Sequence, residues 1–371
     1  MKFLHLGDLH IGKRLNEVDL LEDQKHVLEQ AVELSDRADA VLIAGDVYDK
    51  AVPSAEAMSV FDGFISELVA KGKKIFIISG NHDNDQRISY FSSLLKKNEV
   101  YVTSRFEGKL QSYELEDEYG KLCVHLLPFV KPSSVRLFYP EIEIASHEDA
   151  VKAVLDNSPV DTSIRNIIVA HQFITNSETS ESEERWIGGQ DNISAELFDS
   201  FDYVALGHIH KPQKISRDTL RYAGSILKYS FSETRHVKSF PIIDIKEKGN
   251  IELEFVPIKF LHDVIEKEGL LEELMKEPYC TDYARITLLD EDVEPDARYR
   301  LQTIFPNMMK MAIRNSKTYA EADIIAEQEF ENKTIKELFV DFYRYQNNSV
   351  DPSEAELKLL EKVIEKIGDR Q

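Results

Sequence analysis

Residues 40–49, Ala40-Val41-Leu42-Ile43-Ala44-Gly45-Asp46-Val47-Tyr48-Asp49, run five apolar side chains straight into a glycine turn that carries two carboxylates. A short, unbroken, β-branched run of this kind predicts a strand buried on both faces. The same grammar recurs on either side of it. Residues 2–6 lead into Gly7-Asp8-Leu9-His10, residues 74–79 into Gly80-Asn81-His82-Asp83, residues 166–170 into His171, and residues 203–206 into Gly207-His208-Ile209-His210. Between the first three runs, Leu20, Val27, Leu28, Ala31 and Leu34, and then Met58, Phe61, Ile65 and Leu68, fall at helical spacing. Strands joined by helical crossovers predict a layered α/β fold that holds ligands beyond the carboxyl ends of its strands. All five polar clusters occupy that edge.

Farther along, Leu110, Tyr113 and Leu115, then Leu122, Val124 and Leu126, alternate on either side of Gly120 and predict an antiparallel pair. Residues 221–226 and 239–255 are expected to complete a second sheet over the first, so that a catalytic unit occupies residues 1–260. A strand at 283–289, a helix at 295–305 and a strand at 308–314 predict a small α/β cap over residues 265–320. Within 321–371, Thr334 with Glu337 and Ser353 with Glu356 have capping-box spacing ahead of apolar stripes, which predicts two terminal helices. The acidic stretch 175–192, with Glu178, Glu181, Glu183, Glu184 and Trp186, reads as a loop near the site.

The chain of 371 residues is 42% hydrophobic and 30% charged, enough apolar material for more than one folded unit. Its apolar runs reach about five residues, far short of the ~20 a bilayer demands. Asp8 interrupts the stretch that a secretion signal would need, so no export is expected. Cys123 and Cys280 are too few for a disulfide framework and fit a reducing cytoplasm as packing residues. The formal charge of −22 should repel a polyanion at long range, so a phosphodiester substrate requires locally supplied positive charge.

Asp8, His10, Asp46, Asn81, His171, His208 and His210 supply carboxylate and amide oxygens together with imidazole nitrogens. This mixture suits Mn²⁺, Fe²⁺ or Zn²⁺ better than a thiolate site or an all-oxygen cage. Asp46 is placed to bridge two ions ~3.5 to 4 Å apart. Two divalent cations less two carboxylates leave a net positive clamp for phosphate. Asn81 and His82, adjacent in a turn, cannot both serve one ion. Asn81 is therefore assigned to metal and His82 to the phosphate, where an imidazolium can stabilise charge or protonate the leaving oxygen, with Asp83 expected to orient it. His208 and His210, two apart, would share one face of an extended segment. His5 and His125 lie inside apolar runs and read as core histidines; His26, His147, His236 and His262 are assigned no chemistry.

These five blocks, in this order, resemble the calcineurin-like metallophosphoesterase superfamily. Within it, Asp8-Leu9-His10-Ile11-Gly12-Lys13, the stretch 203–213, Tyr222-Ala223-Gly224-Ser225 and Ser230-Phe231-Ser232-Glu233 are similar to the SbcD nuclease branch. The resemblance implies a four-layer sandwich of two mixed β-sheets flanked by helices, with a small capping domain that steers DNA. It also implies terminal helices that dock on the coiled coil of an SMC-like ATPase, SbcC. It places Asp8, His10, Asp46 and His210 around one metal and Asp46, Asn81, His171 and His208 around the other, with His82 as the catalytic histidine. Asp49 stands where archaeal and eukaryotic relatives carry histidine, which removes a second catalytic imidazole.

The implied activity is that of a cytoplasmic, nucleoid-associated Mn²⁺-dependent nuclease acting on DNA ends and hairpins in repair, recombination and replication. It would work as a homodimer within a heterotetramer with SbcC. No GxxxxGK[ST] segment occurs, so ATP dependence would come from the partner. The rivals are a phosphomonoesterase or cyclic-nucleotide phosphodiesterase and a non-catalytic scaffold. Lys50, where protein phosphatases carry arginine, argues against the first, and an intact donor set argues against the second.

Overall fold

The computed structural model describes residues 1–90, 92–183 and 192–315, and ten further positions between 339 and 360. Two six-stranded sheets face each other. In the first, Lys2–Leu6, Ala40–Ala44, Lys74–Ile78 and Val100–Thr103 run parallel, and Ser239–Ile245 and Ile251–Pro257 extend it antiparallel beyond Lys2–Leu6. In the second, Gly120–Leu127, Arg165–His171, Tyr203–Gly207 and Arg217–Tyr222 are parallel, with antiparallel edges at Gln111–Asp117 and Gln213–Ile215.

The period-2 alternation of the strands builds the layers. Phe3, Ala40, Leu42, Ala44, Phe76 and Ile78 point from the first sheet to Leu122, Val124, Leu126, Ile167, Val169 and Ala205 of the second. Leu4, Leu6, Val41 and Ile43 point the other way, onto the helices Leu21–Leu34 and Ala55–Ala70. Across the second sheet, Ile168, Ala170, Val204 and Leu206 pack on the helix His147–Asp156. The result is a four-layer sandwich of two mixed sheets flanked by helices. His5 crosses the interior to bond the Tyr203 hydroxyl at 3.0 Å, and His125 pairs with Asn166 at 3.0 Å, so both are core histidines.

Helix ends follow local chemistry. Ser54 accepts from the Ala57 amide at 3.1 Å, and Ser146 with Asp149 forms a reciprocal capping box. The buried stripe of Ala55–Ala70 is Ala57, Phe64, Ile65 and Leu68, while Met58 faces outward, a rotation from the expected face.

Two further expectations change. Residues 239–255 join the first sheet, not the second, because Ser239–Ile245 pairs with Lys2–Leu6. The small unit near the carboxyl end has a third parallel strand, Val264–Gly269, beside Tyr283–Leu288, whose other neighbour is Met308–Ile313. Its polar Glu266, Lys267 and Glu268 hide it from an apolar reading. Leu271–Leu274 and Ala297–Gln302 cover this sheet over a core of Ala284, Ile286, Leu288, Leu301 and Phe305. Buried Asp23, on the first helix, fastens the unit: its carboxylate accepts from the Tyr283 hydroxyl at 2.8 Å and from the His262 amide at 3.1 Å. No helix among the described residues is long and apolar enough to cross a membrane.

Of the terminal segment 321–371, Thr334 and Glu337 lie outside the described residues, as does most of each expected helix. Ser353 and Glu356 do form their capping box, with the Ser353 amide donating to Glu356 at 2.7 Å. Residues 184–191, including Glu184 and Trp186, are likewise outside the described residues.

Candidate metal centre

The strands Lys2–Leu6, Ala40–Ala44, Lys74–Ile78, Arg165–His171 and Tyr203–Gly207 end at one rim, and their turns are knitted together there. The Asp8 amide donates to Gly45 O at 3.2 Å and the His10 amide to Asp46 O at 2.9 Å. Asp8, His10, Asp46 and His208 all adopt positive φ, a cost that clusters at functional sites. Glycine is obligatory where the turns touch. A Cβ on Gly80 would sit 2.0 Å from Asp46 Oδ1, and one on Gly207 would sit 1.9 Å from Ala44 O.

Asp46 is the centre. Its Oδ1 accepts from the His82 amide at 3.0 Å, and its Oδ2 lies 3.4 Å from His171 Nε2, 3.6 Å from His10 Nε2 and 4.0 Å from His82 Nε2. On one side, Asn81 Oδ1 is 3.0 Å from both His171 Nε2 and His208 Nδ1. On the other, His10 Nε2 and His210 Nε2 face each other at 3.0 Å. Ligand atoms of Asp8, His10 and His210 lie within 4.8 Å of one another, as do those of Asp8, Asp46 and His171, and those of His10, Asp46 and His82. The structure thus gathers every residue expected at the site. His208 and His210 do not share a face of an extended segment: the strand ends at Gly207, Ile209 turns into the core, and the two imidazoles serve opposite halves.

The donor set fits divalent cations. Asp8 Oδ2 is buried without a hydrogen-bond partner among the described residues, which is costly unless something else satisfies it. The His171 Nδ1–H donates to Ala44 O at 2.8 Å, so Nε2 is the nitrogen that faces the oxygens of Asn81 and Asp46, where it can carry a proton or ligate a cation. Acceptors converging on one point call for positive charge. The titration of the site points the same way. Burial opposes protonation of His171, yet the Asp46 and Asp8 carboxylates outweigh it and raise the imidazole to about 9. Burial likewise works against the Asp46 carboxylate, but His171 and His10 hold it well below the usual carboxylate range. Burial pushes Asp8 up to about 6, and burial together with His171 pushes His208 down to about 3.

His82, with a side chain 14% exposed, is more open than the buried Asp8, His10, Asp46, His171 and His210. It is oriented by the Asp49 carbonyl, which accepts from its Nδ1–H at 3.1 Å. Asp83 stands beside it in the same turn. It accepts from the amides of Gly80 at 3.0 Å, Val47 at 3.1 Å and Tyr48 at 3.0 Å, and so ties two turns together. Asp49 pairs with Lys13 at 2.8 Å.

Several residues that build the site escape sequence reading. Gln24, buried on the first helix, donates to His10 O at 2.7 Å and to the Tyr229 hydroxyl at 2.9 Å, and accepts from the Gly12 amide at 2.9 Å. Tyr229 packs edge-on to His10 and His210, and Phe129 and Phe173 border His208. Ser182, Glu233 and Lys238 stand behind His210. Of these, Glu233 sits in a motif already noted and Ser182 in the acidic stretch 175–192; the others carry no local signal.

Residues 1–212 match the calcineurin-like phosphoesterase family, and residues 256–347 match the type 5 capsule protein repressor C-terminal domain. The SbcD component of nuclease SbcCD from Staphylococcus epidermidis is 31% identical over 99% of this chain and 100% of its own length. Its counterpart from Staphylococcus saprophyticus, likewise the SbcD component of nuclease SbcCD, is 28% identical over 98% and 99%. The solved structure of Haemophilus influenzae NAD nucleotidase (NadN) covers 88% of this chain and 68% of that one at 12% identity, with a TM-score of 0.39, too low to bear on the fold.

Proposed function

The chain belongs to the calcineurin-like phosphoesterase family, within it to the lineage of SbcD nucleases, and on that premise we propose that it is a metal-dependent DNA nuclease acting with SbcC. One observation carries the chemistry: donors from five separate strand ends meet around the Asp46 carboxylate, with a buried, unpartnered Asp8 oxygen among them. We assign two divalent ions, most simply Mn²⁺, to two sets: Asp8, His10, Asp46 and His210, and Asp46, Asn81, His171 and His208. Bound there, the ions would supply Lewis-acid polarisation of a phosphoryl oxygen and a nucleophile at neutral pH.

The chain's own groups do the rest. Asp46 holds the two halves of the site together, and Asn81 spans His171 and His208. His82, with its Nδ1 proton committed to the Asp49 carbonyl, presents Nε2 to the substrate side; in its imidazolium form that atom can give a proton to the leaving oxygen. In this reading residues 1–260 are the nuclease core and residues 265–320, held to the first helix by the Tyr283–Asp23 bond, guide DNA toward the rim. Residues 321–371 bind the SbcC coiled coil, and the assembly is a homodimer within a heterotetramer that works on cytoplasmic, nucleoid DNA in repair, recombination and replication.

The test is to incubate the purified chain, with and without SbcC and Mn²⁺, with blunt duplex, hairpin DNA and a small phosphomonoester. Mn²⁺-dependent cleavage of DNA, stimulated by SbcC, is expected. Turnover of the monoester alone would replace the nuclease reading with a phosphatase.

A further inference from the structure

His210 is the most heavily supported side chain of the rim, and its supports come from two places the reaction itself does not use. The Lys238 ammonium is fully buried and spends its three protons on Glu233 at 2.6 Å, Ser225 Oγ at 2.7 Å and the His210 carbonyl at 2.7 Å. Glu233 is equally buried. Its other oxygen accepts from Ser182 Oγ, lies 3.5 Å from His210 Nδ1 and accepts from the Tyr229 amide at 3.2 Å. Ser182 Oγ is 2.6 Å from His210 Nδ1. The next residue, Glu183, accepts from the His210 amide at 2.8 Å. His210 is therefore held at its amide, its carbonyl and its ring.

The direction of these bonds follows from charge. A carboxylate 2.6 Å from a buried ammonium can only accept, so the Ser182 hydroxyl must donate to Glu233. The Ser182 oxygen then has only lone pairs for His210, and the His210 Nδ1 must carry the ring proton. Nε2 is left as a lone pair facing the centre, the form a metal ligand requires. Ser182 and Glu183 belong to the acidic stretch that begins at Thr175. Its first part is pinned alongside by the Glu178 amide on Gln213 at 3.0 Å and the Glu181 amide on Ser232 at 3.0 Å. Residues 178–183 are thus laid directly over His210.

We propose that Ser182, with the buried Glu233–Lys238 pair behind it, is a positioning device that fixes the tautomer and aim of His210, and that residues 178–183 thereby tie their own placement to metal occupancy. This rests on the metal reading given above. Metal binding would hold the strap in place, and displacing the strap would weaken the metal.

The experiment measures Mn²⁺ binding to the full-length chain by calorimetry and by loss of the free-ion electron paramagnetic resonance signal, with ring ¹⁵N shifts of His210 as a second readout. Ser182→Ala leaves the buried ion pair intact and should fold; it is expected to weaken Mn²⁺ binding about 10- to 100-fold and to release the His210 Nδ1–H tautomer. Ser182→Thr, which keeps the hydroxyl, should restore both. Glu233→Gln should weaken binding at least as much as Ser182→Ala. Wild-type affinity together with an unchanged His210 tautomer in Ser182→Ala would overturn the inference. Failure of the wild-type chain itself to bind Mn²⁺ would instead overturn the metal reading, and this inference with it.

Discussion

At the scale of single residues, His82 and Gly80 make opposite predictions. His82 commits its Nδ1–H to the Asp49 carbonyl and is assigned to the substrate, not to the ions. His82→Ala should lower DNA cleavage by about 10²- to 10⁴-fold, the range for loss of a general acid. Its Mn²⁺ affinity should stay close to that of the wild type; an equal loss of affinity would move His82 into the ligand set. Gly80→Ala should do the reverse. Its Cβ would meet Asp46 Oδ1 at 2.0 Å, so Asp46 must shift and Mn²⁺ binding should fall sharply, as calorimetry would read. What the chain order reveals at this scale is the set of polar residues that follow apolar runs: Asp8, Asp46, Asn81 and His171 are legible because each ends a strand. Gln24 and Lys238 are not, because each reaches its partner only through folding, from the first turn of a helix and from the approach to a distant strand.

At the scale of elements, Gly63 lies inside the helix Ala55–Ala70 without a packing reason: a Cβ there would meet nothing within 4 Å. Gly63→Ala should therefore stabilise the protein by about 0.5–1 kcal/mol, through helix propensity alone, as a raised urea midpoint with an unchanged slope. Strand and helix periods made the parallel half of each sheet readable, because a run buried on both faces stands out against polar turns. Pairing was harder to read. Ser239–Ile245 has the composition of a core strand, and nothing local says that its neighbour is Lys2–Leu6 instead of the second sheet. Val264–Gly269 was hidden for a different reason: as an edge strand it has polar residues where a central strand has apolar ones.

At the scale of the whole molecule, the two sheets are clamped at the end away from the rim by Arg165. Its guanidinium donates to Asp117 Oδ2 at 3.1 Å in the second sheet and to the carbonyls of Ile245 at 3.2 Å and Lys246 at 2.9 Å from the first. Burial opposes ionisation of Asp117, but the bonds from Arg165 prevail and hold its carboxyl well below the usual range. A depressed folded-state value means that this stabilisation is present above the unfolded carboxyl's titration near pH ~4 and is lost as pH falls below it. Asp117→Asn should cost roughly 2–4 kcal/mol at pH 7. The gap between variant and wild type in urea titrations should narrow steadily as the pH is lowered from about 4 toward 2; a constant gap would mean that Asp117 acts by shape alone. The overall sandwich was legible because five similar turns demanded one shared edge, but this clamp was not, since its members lie on strands from both sheets.

Asp23 and Gln24 are consecutive residues of one helix. The first grips the small carboxyl-terminal unit through Tyr283 and His262, and the second grips the carbonyl of His10. Torque on that unit would thus reach the rim across one peptide linkage, a lever whose short arm ends on His10 itself.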